Sequence, residues 1–353
     1  MNSLECMLLL ERNGLIIRRS YVINVRLKNT RSVFNMLKEF IKDNYNLNVL
    51  NIIKMTTGAG GNTYKIQTND NMYVLKLTKE DSMNHPKIEP AVCRTLCNNG
   101  INSLRFIKNK NNEYSTIYND YVVNLYEYID GVLVEYNSMD KKLVNECAEI
   151  LAKINLALKD IKLNEGLSQG FFDFMKPNKA LKSYLKSLEK AKEINNVDII
   201  NNIENRIDLL KYIENWSFDV SKLTCLNSHG DFTNNQIILN DKINIIDFTA
   251  CCKQPVIWEL TRFFLHADIS ACDGKLDHKR YFDYLYYYTK HISLNKYDLE
   301  NIFKLYFYQI LVCDYYAQYF NETDEVKKND YLNQANFASK ILNANSDLIK
   351  NMN

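Results

Sequence analysis

The residues best placed to do chemistry lie between positions 227 and 248. One run reads His229-Gly230-Asp231-Phe232-Thr233-Asn234-Asn235-Gln236, and a second reads Ile245-Ile246-Asp247-Phe248. Apolar residues 237–239 and 243–246 flank a turn at Asn240-Asp241. This pattern predicts a polar loop, a short strand, a tight turn and a second strand ending on an acid, with Asp231 and Asp247 at neighbouring ends of one hairpin. A carboxylate with free lone pairs can take a proton. A second carboxylate with an amide oxygen nearby can hold a hard cation such as Mg²⁺, which prefers oxygen ligands and keeps several waters. A base, a metal-binding acid and an amide are the parts that phosphoryl transfer requires.

Other elements must bring a phosphate donor to that hairpin. Residues 49–55, 63–67 and 72–77 are apolar and β-branched and predict three strands, the last two joined at Asn69-Asp70-Asn71. Between the first and second lies the only glycine cluster of the chain, with Gly58, Gly60 and Gly61. Glycines between two strands let backbone amides approach a polyphosphate. Lys76 falls on the opposite strand face from Leu75 and Leu77. Upstream, Val33, Met36, Leu37, Phe40 and Ile41 form a helical stripe. Downstream, Val92 and Leu96 share a helical face that Gly100 can end.

The triplet His229-Gly230-Asp231, the amides after it and Asp247-Phe248 at this separation resemble the catalytic and metal-binding segments of the aminoglycoside phosphotransferase family. The resemblance runs from about residue 49 onward. It implies an α+β, protein-kinase-like two-lobed fold, with a small antiparallel β-sheet N-lobe and a mainly helical C-lobe. The boundaries it suggests are an N-terminal extension and helix over 1–48, a nucleotide-binding lobe over 49–130, and a helical lobe over 131–353. It further implies Asp231 as the base toward a substrate hydroxyl and Asp247 as the Mg²⁺ ligand. The family usually has asparagine five places after the aspartate. Gln236 stands there, so it is expected to take the metal contact by register, with Asn235 as reserve. Lys76 is the implied phosphate-contacting lysine and Glu89 its partner, within a first helical turn because Pro90 follows. The backbone of residues 127–129, with Glu127 and Ile129 at its ends, is the implied adenine contact. Thr249 replaces the glycine that often follows Asp-Phe.

The resemblance implies ATP or GTP as co-substrate, Mg²⁺, and a small-molecule alcohol as acceptor. Aminoglycoside-type antibiotics lead, with choline-, homoserine- or thiosugar-type metabolites as the alternative. A weakly active spore-coat-like binding protein is the rival from another class. A protein kinase fits less well, because no docking or activation segment separates Phe248 from Pro255.

Bulk properties set limits. The 353 residues give room for about two lobes, and the +2 net charge lacks the basic excess of a nucleic-acid binder. No apolar run is long enough to span a bilayer, and Glu11-Arg12 interrupt the first one, so a cytoplasmic protein is expected. Nine cysteines without ligand spacing, and five ungrouped histidines, predict buried reduced thiols and no zinc site. Whether the chain is a monomer or a dimer is left open.

The C-terminal half predicts helices. Leu143, Cys147, Ile150, Leu151 and Ile154 form one stripe; residues 179–192 and 197–213 suggest further helices with solvated charges. Glu259 and Arg262, spaced i, i+3 after Pro255, suggest an ion pair supporting the metal loop. Residues 281–288 and 306–320 suggest two aromatic helices, with Asp314 inside the second. Aromatic core packing is the favoured reading. An aromatic and acidic pocket for a cationic alcohol, using acids such as Asp268, Asp273, Asp277, Asp283 and Asp314, is the alternative.

Overall fold

The computed structural model describes residues 30–55, 62–79 and 87–352, with side chains from residue 33. The glycine cluster of Gly58, Gly60 and Gly61, and residues 1–29, lie outside the described residues.

The N-terminal part is one helix on an antiparallel sheet. Helix α1 (Thr30–Tyr45) precedes strands β1 (Asn51–Lys54), β2 (Thr63–Gln67) and β3 (Met72–Lys79). After helix α2 (Ile88–Asn98) come β4 (Ser115–Tyr118) and β5 (Tyr121–Glu127), and the strand order is β1-β2-β3-β5-β4. Strand alternation sorts the faces. Leu75, paired with Leu125, joins Leu37, Phe40, Ile41, Ile52 and Ile66 in a small core beneath α1, while Lys76 faces the other way. The α1 stripe is offset from expectation: Met36 is exposed, and Leu37, Phe40, Ile41 and Tyr45 make the buried face. These positions span about one hundred and forty degrees of arc, and Met36 falls outside it.

Pro90 sits in the first turn of α2, where its missing N–H costs nothing, so Glu89 enters the helix buried. The helix ends as expected. Gly100 takes φ +77°, and the Ile101 and Gly100 amides return to the Leu96 and Cys97 carbonyls.

The remainder is helical around two small ribbons. In order come β6 (Val132–Leu133), α3 (Lys141–Ala157), α4 (Gln169–Phe174), α5 (Pro177–Glu193), α6 (Val197–Leu210), β7 (Cys225–Ser228), β8 (Ile237–Leu239), β9 (Ile243–Ile245) and β10 (Cys252–Pro255). Then follow α7 (Val256–Ala267), α8 (His278–Thr289), α9 (Lys296–Asn301), α10 (Lys304–Val312), α11 (Tyr315–Asn321), α12 (Glu325–Ala344) and α13 (Ser346–Asn351). The expected hairpin is present: β8 and β9 pair antiparallel, Ile237 opposite Ile245, with β6 on the outer side. Every residue of α7 is buried. It is the axis of the large core, which also takes Val92 and Leu96 of α2.

Two charge readings are corrected here. Arg206, expected on a solvated face, is 1 % exposed. Its guanidinium donates to Tyr184 Oη at 2.9 Å, Ile310 O at 2.8 Å, Ala335 O at 3.1 Å and Ser339 Oγ at 3.2 Å, stitching four helices together. Asp314 interrupts the expected continuous aromatic helix. It caps α11 through the Ala317 amide and accepts the Ser183 and Ser187 hydroxyls. Burial raises its carboxyl above the usual range. The aromatic helices pack as core, with Tyr281, Tyr284, Tyr288, Phe307 and Tyr316 buried. Among the described cysteines, Cys93, Cys147, Cys251, Cys252 and Cys313 are buried. Among the described residues no helix is long and apolar enough to cross a membrane.

Candidate active site

Strand β7 delivers His229 into a loop whose shape is set by backbone geometry. Gly230 takes φ +81°, and a Cβ there would lie 1.8 Å from the Ala250 carbonyl oxygen. Both the left-handed conformation and that close approach need glycine. Gly230→Ala is expected to displace residues 229–250 and to lower the free energy of unfolding by about 3–5 kcal/mol, on the order of the large core defects. Urea unfolding of the purified variant measures it.

His229 holds the loop, as its sequence context suggested. Its Nε2 lies 3.0 Å from the Ile246 carbonyl and its Nδ1 accepts the Asp231 amide at 3.3 Å, which fixes the Nε2–H tautomer. The ring packs between Phe248 and Phe232, with centroids at 4.4 and 5.6 Å. From behind, Glu259 of α7 accepts the Ser228 hydroxyl, and the Phe232 amide at 3.0 Å. Burial raises the Glu259 carboxyl above its ordinary range.

Asp231 is 4 % exposed. Arg262 Nη2 donates to its Oδ1 at 2.6 Å and Gln236 Nε2 to its Oδ2 at 3.2 Å. The expected Glu259–Arg262 pair is therefore corrected. Within one turn of α7 the acid serves the loop backbone and the base serves Asp231. Two charges buried at i, i+3 on an apolar helix each need a partner, and the loop offered a better geometry than the helix surface. That signal was present in the sequence: a lone glutamate and arginine stand within the apolar run of residues 256–265.

Asp247 closes the hairpin at the other end. It adopts φ +68°, a left-handed conformation that aspartate tolerates better than most side chains. Its Oδ1 accepts Lys76 Nζ at 3.2 Å and Thr249 Oγ1 at 2.7 Å. Lys76 also donates to both Glu89 oxygens, at 3.3 and 3.1 Å. Glu89 Oε1 in turn accepts the Phe248 amide at 3.1 Å. One glutamate thus joins the sheet lysine to the loop that carries Asp247, across the seam between the two cores. Lys76, Glu89, Asp247 and Phe248 meet; Asp231, Gln236 and Arg262 meet; and Ile246 N bonded to Gln236 O at 2.9 Å links the two groups.

Of the two amides, Gln236 is the one on Asp231. Asn235 points outward, with its Nδ2 on Tyr136 Oη at 2.9 Å and its Oδ1 accepting Asn234 Nδ2 at 2.9 Å. At the end of β5, the Glu127 amide donates to Arg105 O at 2.9 Å and the Tyr128 amide to Met72 O at 3.0 Å. The Glu127 N–H is therefore spent within the protein. Ile129 follows, half-buried, in the connection to β6.

The acids that the alternative reading placed around an acceptor pocket have other partners. Asp268 caps the turn at Ser270 and pairs with Arg280, Asp277 caps α8, Asp273 accepts the Lys275 amide and Asp283 pairs with Lys141. Sequence reasoning missed a cluster beside Asp231. Tyr136, His266 and Phe337 stack on one another, with centroids 4.5 to 5.7 Å apart, and the Arg262 guanidinium lies 5.4 Å from the Trp258 ring. Burial, and then the Arg262 charge, hold His266 well below the ordinary histidine range. A depressed pKa means that the unfolded chain takes up the proton first. His266 therefore contributes stability that is complete above the unfolded value of about 6.5 and is lost as pH falls below it. Urea titrations at mildly acidic and neutral pH are expected to show this slope, and His266→Phe to flatten it.

The phosphotransferase enzyme family matches residues 52–284 of the 353-residue chain. No curated protein sequence matches it. Solved structures with a similar fold include a spectinomycin phosphotransferase in complex with ADP and spectinomycin, at 15 % identity and TM-score 0.61, covering 88 % of this chain and 98 % of that one. A choline kinase from Streptococcus pneumoniae matches at 16 % identity and TM-score 0.52, over 87 % of this chain and 99 % of that one. An ethanolamine kinase from Plasmodium vivax matches at 15 % identity and TM-score 0.53, over 100 % and 97 %. At these identities the likeness is one of fold, and it is the two-lobed, kinase-like α+β fold expected from the motifs.

Proposed function

Because the chain belongs to the phosphotransferase enzyme family, we propose that it moves the γ-phosphoryl group of ATP or GTP to a hydroxyl of a small molecule. The observation that carries this reading is the single bonded set that joins Lys76 and Glu89 of the sheet side to Asp247, beside Asp231 on the same hairpin. Nucleotides bound in similar structures support it: ADP in the spectinomycin phosphotransferase, and AMP-PNP in an amicoumacin kinase.

Each residue has a role in this reading. Asp231 takes the proton of the acceptor hydroxyl. Lys76, held by Glu89, contacts the phosphates. The Glu127 carbonyl and residue 129 meet the adenine, and residues 49–130 form the nucleotide lobe. The oxygen donors Asp247 and Gln236 fit Mg²⁺. Among the described residues no cluster of three His, Cys, Asp or Glu forms a closed metal cage, and an ion that keeps several waters and uses phosphate oxygens needs only one or two carboxylates. When bound there, the cation supplies neutralising charge to the phosphate oxygens. Asn235, its oxygen already occupied, is the weaker candidate. Arg262 and Glu259 are positioning residues: one orients Asp231, the other the loop backbone.

Thermal unfolding with ATP, GTP or AMP-PNP, with and without Mg²⁺, tests the donor half. A Mg²⁺-dependent rise in melting temperature is expected, and none would favour an inactive binding protein. Mass spectrometry of a mixed pool of aminoglycosides, amino alcohols and hydroxy acids, incubated with nucleotide, identifies the acceptor by its phosphate mass increment.

A further inference from the structure

On α7, among the described residues, two buried polar atoms have no hydrogen-bond partner: Arg262 Nη1 and His266 Nδ1. They stand one helical turn apart on α7, at i and i+4, and so lie on one face. Arg262 and His266 are 4 % and 7 % exposed, whereas Tyr136, stacked on His266, is 48 % exposed. The pair therefore lies behind a ring that reaches solvent. Tyr306 Oη sits 3.1 Å from His266 Nε2. If that hydroxyl donates, Nδ1 carries the ring proton, and both orphan atoms are donors. A buried donor left unmade is costly, and more so when charged. The site calls for a ligand that accepts from both.

Charge points the same way. The charged groups felt at Tyr136, Tyr306 and His266 are Arg262 and Asp231, which form an ion pair. The acids that would attract a polycation, Asp268, Asp277, Asp283 and Asp314, are engaged as caps or ion pairs elsewhere. We propose that Arg262 Nη1 and His266 Nδ1 form an anion-accepting subsite, so that the acceptor alcohol carries a carboxylate or phosphate a few bonds from the hydroxyl that meets Asp231. This rests on the phosphotransferase reading for Asp231, but the subsite itself is a matter of binding. Tyr136 and Phe337 would cover the carbon skeleton between the two groups. The subsite selects against cationic amino alcohols, because their ammonium would face a guanidinium.

The test is ligand-induced thermal shift with three probes of one carbon skeleton: glycerate, glycerol phosphate and aminopropanediol. Each is measured at equal concentration, with and without Mg²⁺ and AMP-PNP. The wild type is compared with Arg262→Gln and with His266→Phe, which leaves the Arg262–Asp231 pair intact. At least one anionic probe is expected to raise the melting temperature, its affinity falling about tenfold in each variant, the cost of one lost hydrogen bond to a charged group. The glycerate and glycerol phosphate arms tell a carboxylate from a phosphate. The proposal is overturned if aminopropanediol alone shifts the melt. It is equally overturned if no probe does, in which case water satisfies the two donors, or if the anion's shift survives in both variants. Failure of AMP-PNP to bind would count against the phosphotransferase reading instead, since the arms without nucleotide judge the subsite independently.

Discussion

Asp247→Ala is expected to abolish phosphoryl transfer at least as completely as any change at Asp231. The transition state of such a transfer is loose, with charge spread over the phosphoryl oxygens, so neutralising charge and position dominate catalysis. Removing a single group that stabilises that charge costs on the order of 10³- to 10⁵-fold in kcat. In the proposed mechanism Asp247 acts through a cation and also through Lys76, whose ammonium lies 3.2 Å from it. The variant should still fold. Lys76 keeps Glu89 at 3.1 Å, and the Phe248 amide keeps the same glutamate. Two readouts check this: kcat for nucleotide consumption, and the Mg²⁺-dependent part of the nucleotide thermal shift, which should vanish. Full turnover in this variant would remove the basis of the proposed mechanism.

Asp231 variants should separate catalysis from stability. In its proposed role as general base Asp231 would contribute roughly 10²- to 10⁴-fold, and both Asp231→Asn and Asp231→Ala are expected to lose it. Their stabilities should differ. The Asp231 and Arg262 side chains are each 5 % exposed. Deleting one partner of such a pair leaves a buried, uncompensated charge and typically costs about 3–5 kcal/mol. Asparagine retains an oxygen for Arg262 and should cost much less. Asp231→Ala should therefore unfold at distinctly lower urea than Asp231→Asn at equal inactivity. Adding Arg262→Met to Asp231→Ala should recover much of the loss, because the orphan charge goes with it. Equal stability of the two single variants would mean that Arg262 turns out to solvent when its partner is lost.

Local pattern carried the sequence reading a long way. The two-strand hairpin, the helix start at Glu89-Pro90, the Gly100 stop and the face of Lys76 all depend on residues within a few positions of one another. Backbone periodicity fixes such features before any long-range contact forms. The same reasoning foresaw His229 as a loop-holding residue, and hydrogen bonds to Asp231 and Ile246 hold it within the motif.

Partnership between buried charges was decided by the tertiary structure. Glu259 and Arg262 sit at pairing distance along α7, yet each bonds to the loop around residues 228–232. Asp314, a pocket acid only in the alternative reading, and Arg206, within a helix whose charges were read as solvated, became a helix cap and a stitch between helices. The link from Lys76 through Glu89 to Phe248 joins residues that are 159 positions apart at its longer step. Spacing along the chain reports which face a side chain occupies. It does not report which distant group is packed against that face, and a charge removed from water takes whichever partner the packing brings within hydrogen-bond reach.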